Sequence, residues 1–150
     1  MRRMLAVGLM AGLLVLAGGI QAQAFKAQPA AALQNTQWIL TWVEGVKVPQ
    51  SGAANPSPRR AYIELNSASH RLTGSGGCNQ LTGAYELEGQ HLRLNGTART
   101  LMACAGGADT EGKLVKALEE VREWKVSGQT LELLDGNGNV VAKFSAADVK

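Results

Sequence analysis

Cys78 and Cys104 are the side chains with the clearest chemical options in this chain. They lie in two short motifs, Gly77-Cys78-Asn79 and Thr100-Leu-Met-Ala-Cys104, each beside a segment that reads as a β-strand. A cysteine pair can form a disulfide, bind a metal or act as a reactive thiol. The spacing is not that of a Cys-x-x-Cys redox or metal motif. A structural disulfide, two buried free thiols, and a catalytic or metal-binding pair therefore stand as the alternatives.

Two histidines, His70 and His91, are the only imidazole groups available as bases or nitrogen ligands. Their spacing from the cysteines fits no common zinc motif. No Gly-x-Ser-x-Gly nucleophile motif occurs, and no acid or nucleophile can be assigned to either histidine. We expect both to be exposed surface residues. The sequence therefore predicts no catalytic residue, no metal ligand and no cofactor, and hence a protein that is not an enzyme.

Asn79 and the Asp135–Asn139 segment are the remaining candidates for binding. The Asn79 amide either contacts a ligand or bonds the neighbouring backbone in a turn, as asparagine often does. Asp135-Gly-Asn-Gly-Asn139 resembles the start of a calcium loop, but Ala146 stands at the twelfth position, where an EF-hand needs Glu. We expect a hairpin turn there.

The first 24 residues read as an export signal. Arg2 and Arg3 form a short basic region, an apolar run rich in Leu, Ala and Gly follows, and Ala22-Gln-Ala24 is a pattern that signal peptidase accepts. Gly19 stands where a lipoprotein signal needs Cys. We therefore expect cleavage after Ala24 and a periplasmic or secreted protein without a stable membrane anchor. An exported chain with two cysteines favours the disulfide between Cys78 and Cys104.

The charge balance gives little support for a nucleic-acid binder. The whole chain carries 15 basic and 12 acidic residues, but removing the signal takes away Arg2 and Arg3 and leaves a net charge near +1. A nucleic-acid interface needs a clustered basic face. Arg59-Arg60 is the best candidate, and we interpret it as a solvated loop. The remaining length fits one domain, for which we expect a monomer.

Hydrophobic alternation predicts a series of strands after a flexible lead over residues 25–32. The Pro-rich segment Pro49–Pro58 reads as a loop. Period-two patterns and turn residues predict strands at 36–43, 61–66, 70–75, 82–87, 91–94, 125–127, 130–134 and 140–144.

One helix interrupts the strands. Asp109 is a suitable N-cap, and Leu114, Ala117, Leu118 and Val121 recur at helical spacing. We expect this helix to end near Trp124. Strands followed by one helix and further strands predict an α+β fold, a strongly curved, mostly antiparallel, cracked-barrel-like sheet with one amphipathic helix.

The three tryptophans are the largest apolar side chains. Trp38 and Trp42 are predicted to share one face of the first strand, and Trp124 to lie at the helix end. They either fill a packed core or line an apolar cavity that accepts a small lipid-like ligand.

The motifs resemble the META domain (DUF306) family, the heat-shock protein HslJ-like family. The similarity extends over about residues 33–145, a region that we assign with the rest of the chain as one domain, 33–150. Its marks are Gly77, Cys78, Asn79, Thr100, Met102, Ala103 and Cys104, with a helix following. The resemblance implies a compact curved-sheet domain in an envelope or stress-associated protein, and it supplies no catalytic residue.

Two functions are favoured at this stage over a third, a hydrolase that would use His70 or His91, for which partner residues are missing. The first is a non-enzymatic module that supports envelope stress tolerance by binding an envelope protein or a small apolar ligand. The second is an inhibitor of an extracellular hydrolase, a lysozyme or a protease, that inserts the Pro49–Pro58 loop. Deleting that loop without changing inhibition would exclude the second function.

Overall fold

The structure, a computed structural model, describes residues 29–50, 59–104 and 106–147. The predicted signal, most of the flexible lead and most of the Pro-rich loop lie outside these residues. The chain forms nine strands and one helix, in the order β1 Trp38–Val43, β2 Val46–Lys47, β3 Tyr62–Asn66, β4 Arg71–Ser75, β5 Gln80–Glu88, β6 His91–Arg99, α1 Ala108–Glu120, β7 Glu123–Ser127, β8 Thr130–Leu134 and β9 Val140–Ala146.

All strands belong to one antiparallel sheet that curves back on itself. Its order is β2-β1-β3-β4-β5-β6-β7-β8-β9, and β1 also pairs with β9, from Trp38 opposite Ala146 to Val43 opposite Ala142. The weakest junction lies between β6 and β7, where only His91 and Glu123 pair. The predicted fold class, a strongly curved antiparallel sheet with one helix, is confirmed.

The inner face of this ring holds the hydrophobic core. Residues of alternate positions point inward, as the two-residue period of a strand requires. The helix adds Leu114, Ala117 and Leu118, with Val121 directly after it. From the strands the fully buried side chains include Trp38, Leu40, Ile63, Leu65, Leu72, Leu92, Leu131, Leu133 and Phe144.

A β-bulge corrects the predicted face of the first strand. The pairing of β1 with β9 shifts register between Leu40 and Trp42. The extra residue reverses the alternation after it, so Val43 is fully buried and Trp42 is only half-buried. The prediction that Trp42 shares a face with Trp38 was therefore wrong.

A second bulge explains why β6 is longer than its pattern predicted. The predicted strand stops at residue 94, yet β6 continues to Arg99. Thr82 pairs with Ala98 while Ala84 pairs with Asn95, which leaves one extra residue on β6. Gly96 lies in this bulge with a φ of +63°, a conformation that glycine adopts readily. The strand therefore continues through it.

The helix lies across the ring. It contacts β6, β1 and β9, and Lys116 donates to Glu44 in the β1–β2 turn over 2.6 Å. Its N-cap is Gly107, with a φ of +84°, and no side chain caps it, so the prediction of Asp109 as N-cap was wrong. Asp109 lies in the first turn and forms an ion pair with Lys113, one turn further along.

The helix also ends earlier than predicted. It stops at Glu120, and Val121 takes an extended ψ of 135°. Arg122 donates from Nη1 to the carbonyl oxygens of Glu119, at 2.9 Å, and Val121, at 2.6 Å. A guanidinium there satisfies carbonyls that the helix leaves free. Trp124 consequently belongs to β7 rather than to the helix end.

Candidate functional site

The two cysteine motifs meet at one end of the ring. Cys78 follows β4 and Cys104 precedes α1, and the two are joined by a disulfide with a Cα–Cα distance of 6.1 Å, within the normal range. The predicted disulfide is confirmed, and the described residues contain no free cysteine. The bridge fixes the segment between β6 and α1 against the turn between β4 and β5.

Asn79 joins three parts of the chain. Its backbone N–H and its Nδ2 each donate to the Glu111 carboxylate, both over 2.8 Å. Its Oδ1 accepts from Thr100 Oγ1 at 2.9 Å and from the Met102 N–H at 2.7 Å. The amide therefore ties the first motif to the second and to the helix. These partners lie 21 to 32 residues away in sequence. The Asn79 side chain is therefore neither bonded within a local turn nor left free to contact a ligand.

Glu111 is the residue that sequence reasoning missed. Its place in the first turn of α1 suggests only a favourable interaction with the helix dipole, yet it is 1% exposed. Its Oε1 also accepts from Arg99 Nη1 at 3.1 Å, which pairs the buried charge. The hydrogen bonds that the Glu111 carboxylate accepts come from Asn79 and Arg99. The carboxylate therefore holds the two cysteine motifs against the helix.

Gly76 gives the sequence signal that could have revealed Glu111. A Cβ at Gly76 would lie 2.3 Å from Glu111 Cγ, closer than any real contact. A Cβ at Gly74 would likewise lie 2.3 Å from the Tyr62 carbonyl oxygen on β3, so both glycines mark close approaches, as expected for glycine beside packed backbone. Nothing in the sequence, however, indicates which element makes that approach.

We define the motif loop as Thr100–Cys104. Its start is fixed because Thr100 exchanges two 3.1 Å hydrogen bonds with the backbone of Gln80. Its middle is fixed by Asn79 and its end by the disulfide. Leu101 is nevertheless 87% exposed and Met102 51% exposed. The loop thus presents two large apolar side chains on a backbone anchored along its length.

The histidines lie apart from this site. His70 is an exposed residue of the β3–β4 turn with a φ of +52°, and its ring lies 5.7 Å from that of Tyr85. His91 is exposed at the start of β6, opposite Glu88. Neither imidazole forms a hydrogen bond with another side chain in the part of the chain that the structure describes.

A polar pocket of about 500 Å³ lies where β6 and β7 diverge. Its lining consists mostly of charged side chains: Glu86, Glu88, His91, Arg93, Arg122 and Glu123. Within residues 29–50, 59–104 and 106–147, no group of three or more His, Cys, Asp or Glu residues is placed to hold a metal ion. The opposing charges make this pocket a solvated surface feature.

The tryptophans are separated rather than gathered around this pocket. Trp38 is fully buried and its Nε1 donates to the Leu33 carbonyl oxygen at 2.9 Å. Trp124 is half-buried on β7, and its Nε1 donates to the Gly89 carbonyl oxygen at 3.0 Å. Trp42 lies on the opposite face of β1. A cavity lined by these three rings stays a prediction.

The Asp135 turn is a hairpin turn, as predicted. Asp135 Oδ1 accepts from the N–H groups of Asn137 at 2.8 Å and Asn139 at 2.9 Å, and Oδ2 accepts from Asn139 Nδ2 at 3.0 Å. The Asn139 side-chain hydrogen bond, followed by the backbone ones, lowers the pKa of Asp135. Both oxygens of this carboxylate are engaged within the turn.

Only Pro49 and Gln50 of the Pro-rich loop lie within the described residues. Gln50 Nε2 donates to the carbonyl oxygens of Leu40, at 2.7 Å, and Val48, at 2.8 Å, which fixes the start of the loop on β1. No helix in the described part of the chain is long and apolar enough to cross a membrane.

Comparison with known proteins identifies the fold. The family model described as "META domain" matches residues 31–148. An NMR structure of a protein from Burkholderia xenovorans is 24% identical, covers 78% of this chain and 85% of its own, and superposes with a TM-score of 0.61. A second NMR structure is 22% identical, covers 77% and 92%, and has a TM-score of 0.59. At such identities the likeness concerns the fold alone. No curated protein matches the chain significantly.

Proposed function

Because the chain belongs to the META domain family, we propose that it is an exported, non-enzymatic binding domain of the cell envelope that contributes to stress tolerance. The observation that carries this proposal is the motif loop, which holds Leu101 and Met102 in solvent on a fixed backbone. The loop is the element with which the domain binds its envelope component.

A rigid loop with exposed apolar side chains is suited to binding. Each large apolar side chain that leaves water on binding contributes roughly 1.5–3 kcal/mol. Binding also costs the entropy of ordering the groups involved, and a preorganised loop reduces that cost. Asn79 and the disulfide supply this order before any partner arrives.

Export is supported by the disulfide together with the signal-like first 24 residues. Disulfides form and persist in oxidising compartments such as the periplasm and the cell exterior. The absence of a catalytic role is supported by how the chemically capable groups are used. Glu111 is fully engaged by Asn79 and Arg99, and the two histidines have no acid or nucleophile partner among the described side chains.

The proposal is tested by cross-linking in living cells. A photo-reactive amino acid is placed at Leu101, and in a matched variant at Val46, an exposed apolar residue of β2 that is 41% exposed. We expect adducts from position 101 and few from position 46. Survival of envelope stress is then compared between wild-type cells, a deletion strain and a strain carrying Leu101→Ser. Equal survival of all three would overturn the proposed role.

A further inference from the structure

Arg59 and Arg60 lie in a segment whose backbone is hydrogen-bonded to the turn that holds the motif loop. Arg59 donates its backbone N–H to the Gly77 carbonyl oxygen over 3.2 Å, and Arg60 follows it. Gly77 precedes Cys78, whose Sγ lies 3.7 Å from the Met102 carbonyl oxygen. Arg59 and Arg60 are both exposed. Two guanidinium groups therefore emerge from the chain segment that supports the loop.

Arg59 and Arg60 differ from the other charged residues near the loop in having no ion-pair partner among the described residues. The charge of Arg99 is compensated by Glu111, and Asp109 pairs with Lys113 at the start of α1. Within the described ranges, no ion pair joins Arg59 or Arg60 to another residue. We call Leu101 and Met102 the apolar tip and Arg59 and Arg60 the basic rim. An apolar tip with an unpaired basic rim is complementary to a surface that has an anionic layer over an apolar interior.

We propose that the motif loop docks on an anionic membrane surface, with Leu101 and Met102 entering the boundary between headgroups and acyl chains. Arg59 and Arg60 contact the lipid phosphates from the rim. This inference rests on the proposed function, since it uses the same loop, and it names the envelope component that the loop meets.

A lipid surface fits these features better than a protein does. A stable protein interface buries about 800 Å² on each partner around an apolar centre. The motif loop offers two protruding apolar side chains. Membrane association, in contrast, needs only two weak signals, an apolar insertion and a basic patch, and is reversible when each is weak. The proposed docking is therefore peripheral and sensitive to salt.

The experiment is vesicle flotation of the mature protein. Vesicles of phosphatidylethanolamine and phosphatidylglycerol at a ratio of about 3:1 supply the anionic surface, and phosphatidylcholine vesicles are the neutral control. We expect binding to the first at low salt, little to the second, and loss at high salt. Because one basic residue near an anionic surface contributes roughly fivefold in binding, Arg59→Gln with Arg60→Gln should weaken it more than tenfold. Lys47→Gln with Lys125→Gln, outside the patch, makes the same change in net charge and should weaken it far less.

Leu101→Ser tests the apolar part, with Val46→Ser as its control. Removing one inserted leucine should weaken binding more than tenfold, while Val46→Ser should leave it unchanged. Thermal unfolding checks that each variant folds. Equal binding to both vesicle types, no binding, or equal effects of patch and control variants would overturn the inference. Cross-links from position 101 to a protein, without vesicle binding, would overturn it and leave the proposed function intact. Vesicle binding without any stress phenotype would support membrane docking and overturn the proposed role in stress tolerance.

Discussion

The Asn79 amide oxygen already accepts two hydrogen bonds, and its nitrogen donates to a buried carboxylate. Glu111 is the other half of this contact, and among the described residues its carboxylate forms an ion pair with Arg99 alone. At the level of residues, Asn79 and Glu111 thus form a structural junction, while the exposed side chains of Leu101 and Met102 form the proposed binding surface. The junction and the surface can be tested separately.

Removing the negative charge at the junction should strongly destabilise the domain. In Glu111→Gln the new amide nitrogen faces the N–H donors of Asn79 or Arg99, so at least one donor loses its acceptor. A buried donor that loses its acceptor costs about 1–3 kcal/mol, while the Arg99 side chain, 42% exposed, keeps access to water. Urea unfolding measures the loss, with the exposed Glu119→Gln as control. A change below about 0.5 kcal/mol, the usual range for surface substitutions, would contradict the role assigned to Glu111.

Glycine at position 76 should be required by space. Gly76→Ala places a Cβ against Glu111, and such overpacking costs roughly 1–3 kcal/mol. Gly112→Ala is the matched control, because no atom lies within 4 Å of its added Cβ and the position is helical. There alanine should stabilise by about 0.5–1 kcal/mol. Equal thermal stability of the two variants would show that the close approach is not limiting.

At the level of elements, the disulfide and the hairpin turns determine how the strands and the helix are connected. The bridge spans a sequence separation of 26 residues and links the β4–β5 turn to the segment before α1. In the chain-entropy description a bridge of this span contributes roughly 3 kcal/mol. Reduction should therefore lower the thermal midpoint by about 10 °C. Calorimetry with and without reductant checks this, and identical midpoints would contradict it.

The β8–β9 turn should contribute stability that depends on pH. The pKa of Asp135 is lowered from its ordinary value of 3.8, because the folded turn donates hydrogen bonds to the carboxylate. A lowered pKa gives stability that is present above that value and is lost as the pH falls through the folded pKa. The difference in thermal midpoint between the wild type and Asp135→Ala should be largest above about pH 4 and should narrow toward pH 2. A difference that does not vary with pH would contradict this account.

At the level of the whole molecule, the ring is closed by β1 and β9, and α1 crosses it to contact β6, β1 and β9. The motif loop follows β6 and precedes α1, the helix that connects β6 to β7 along the chain. The proposed binding surface therefore lies at one end of the ring, away from the polar pocket at the β6–β7 junction. The domain can present the loop to a surface without any change in the core.

The site of action also belongs to this scale. If the first 24 residues are an export signal, protein isolated from the envelope should begin at Phe25 and have a mass two hydrogens below that of the dithiol form. N-terminal sequencing and intact-mass measurement without reductant decide both points. An N-terminus at Met1 in a cytosolic fraction would contradict export and would remove the proposed envelope role.

The sequence by itself determined the fold class, the disulfide, the strands with clear alternation and the family. These features depend on local periodicity and on motif residues, which are visible along the chain. It did not determine the bulge that turns Trp42 away from Trp38, or the glycine cap that replaces Asp109, because both depend on register and backbone conformation. Only the tertiary structure decided that Glu111 bonds Asn79 and Arg99 and that Leu101 stays exposed.

Residues far apart in sequence make those contacts. No local pattern encodes which distant partner will compensate a charge or cover an apolar side chain.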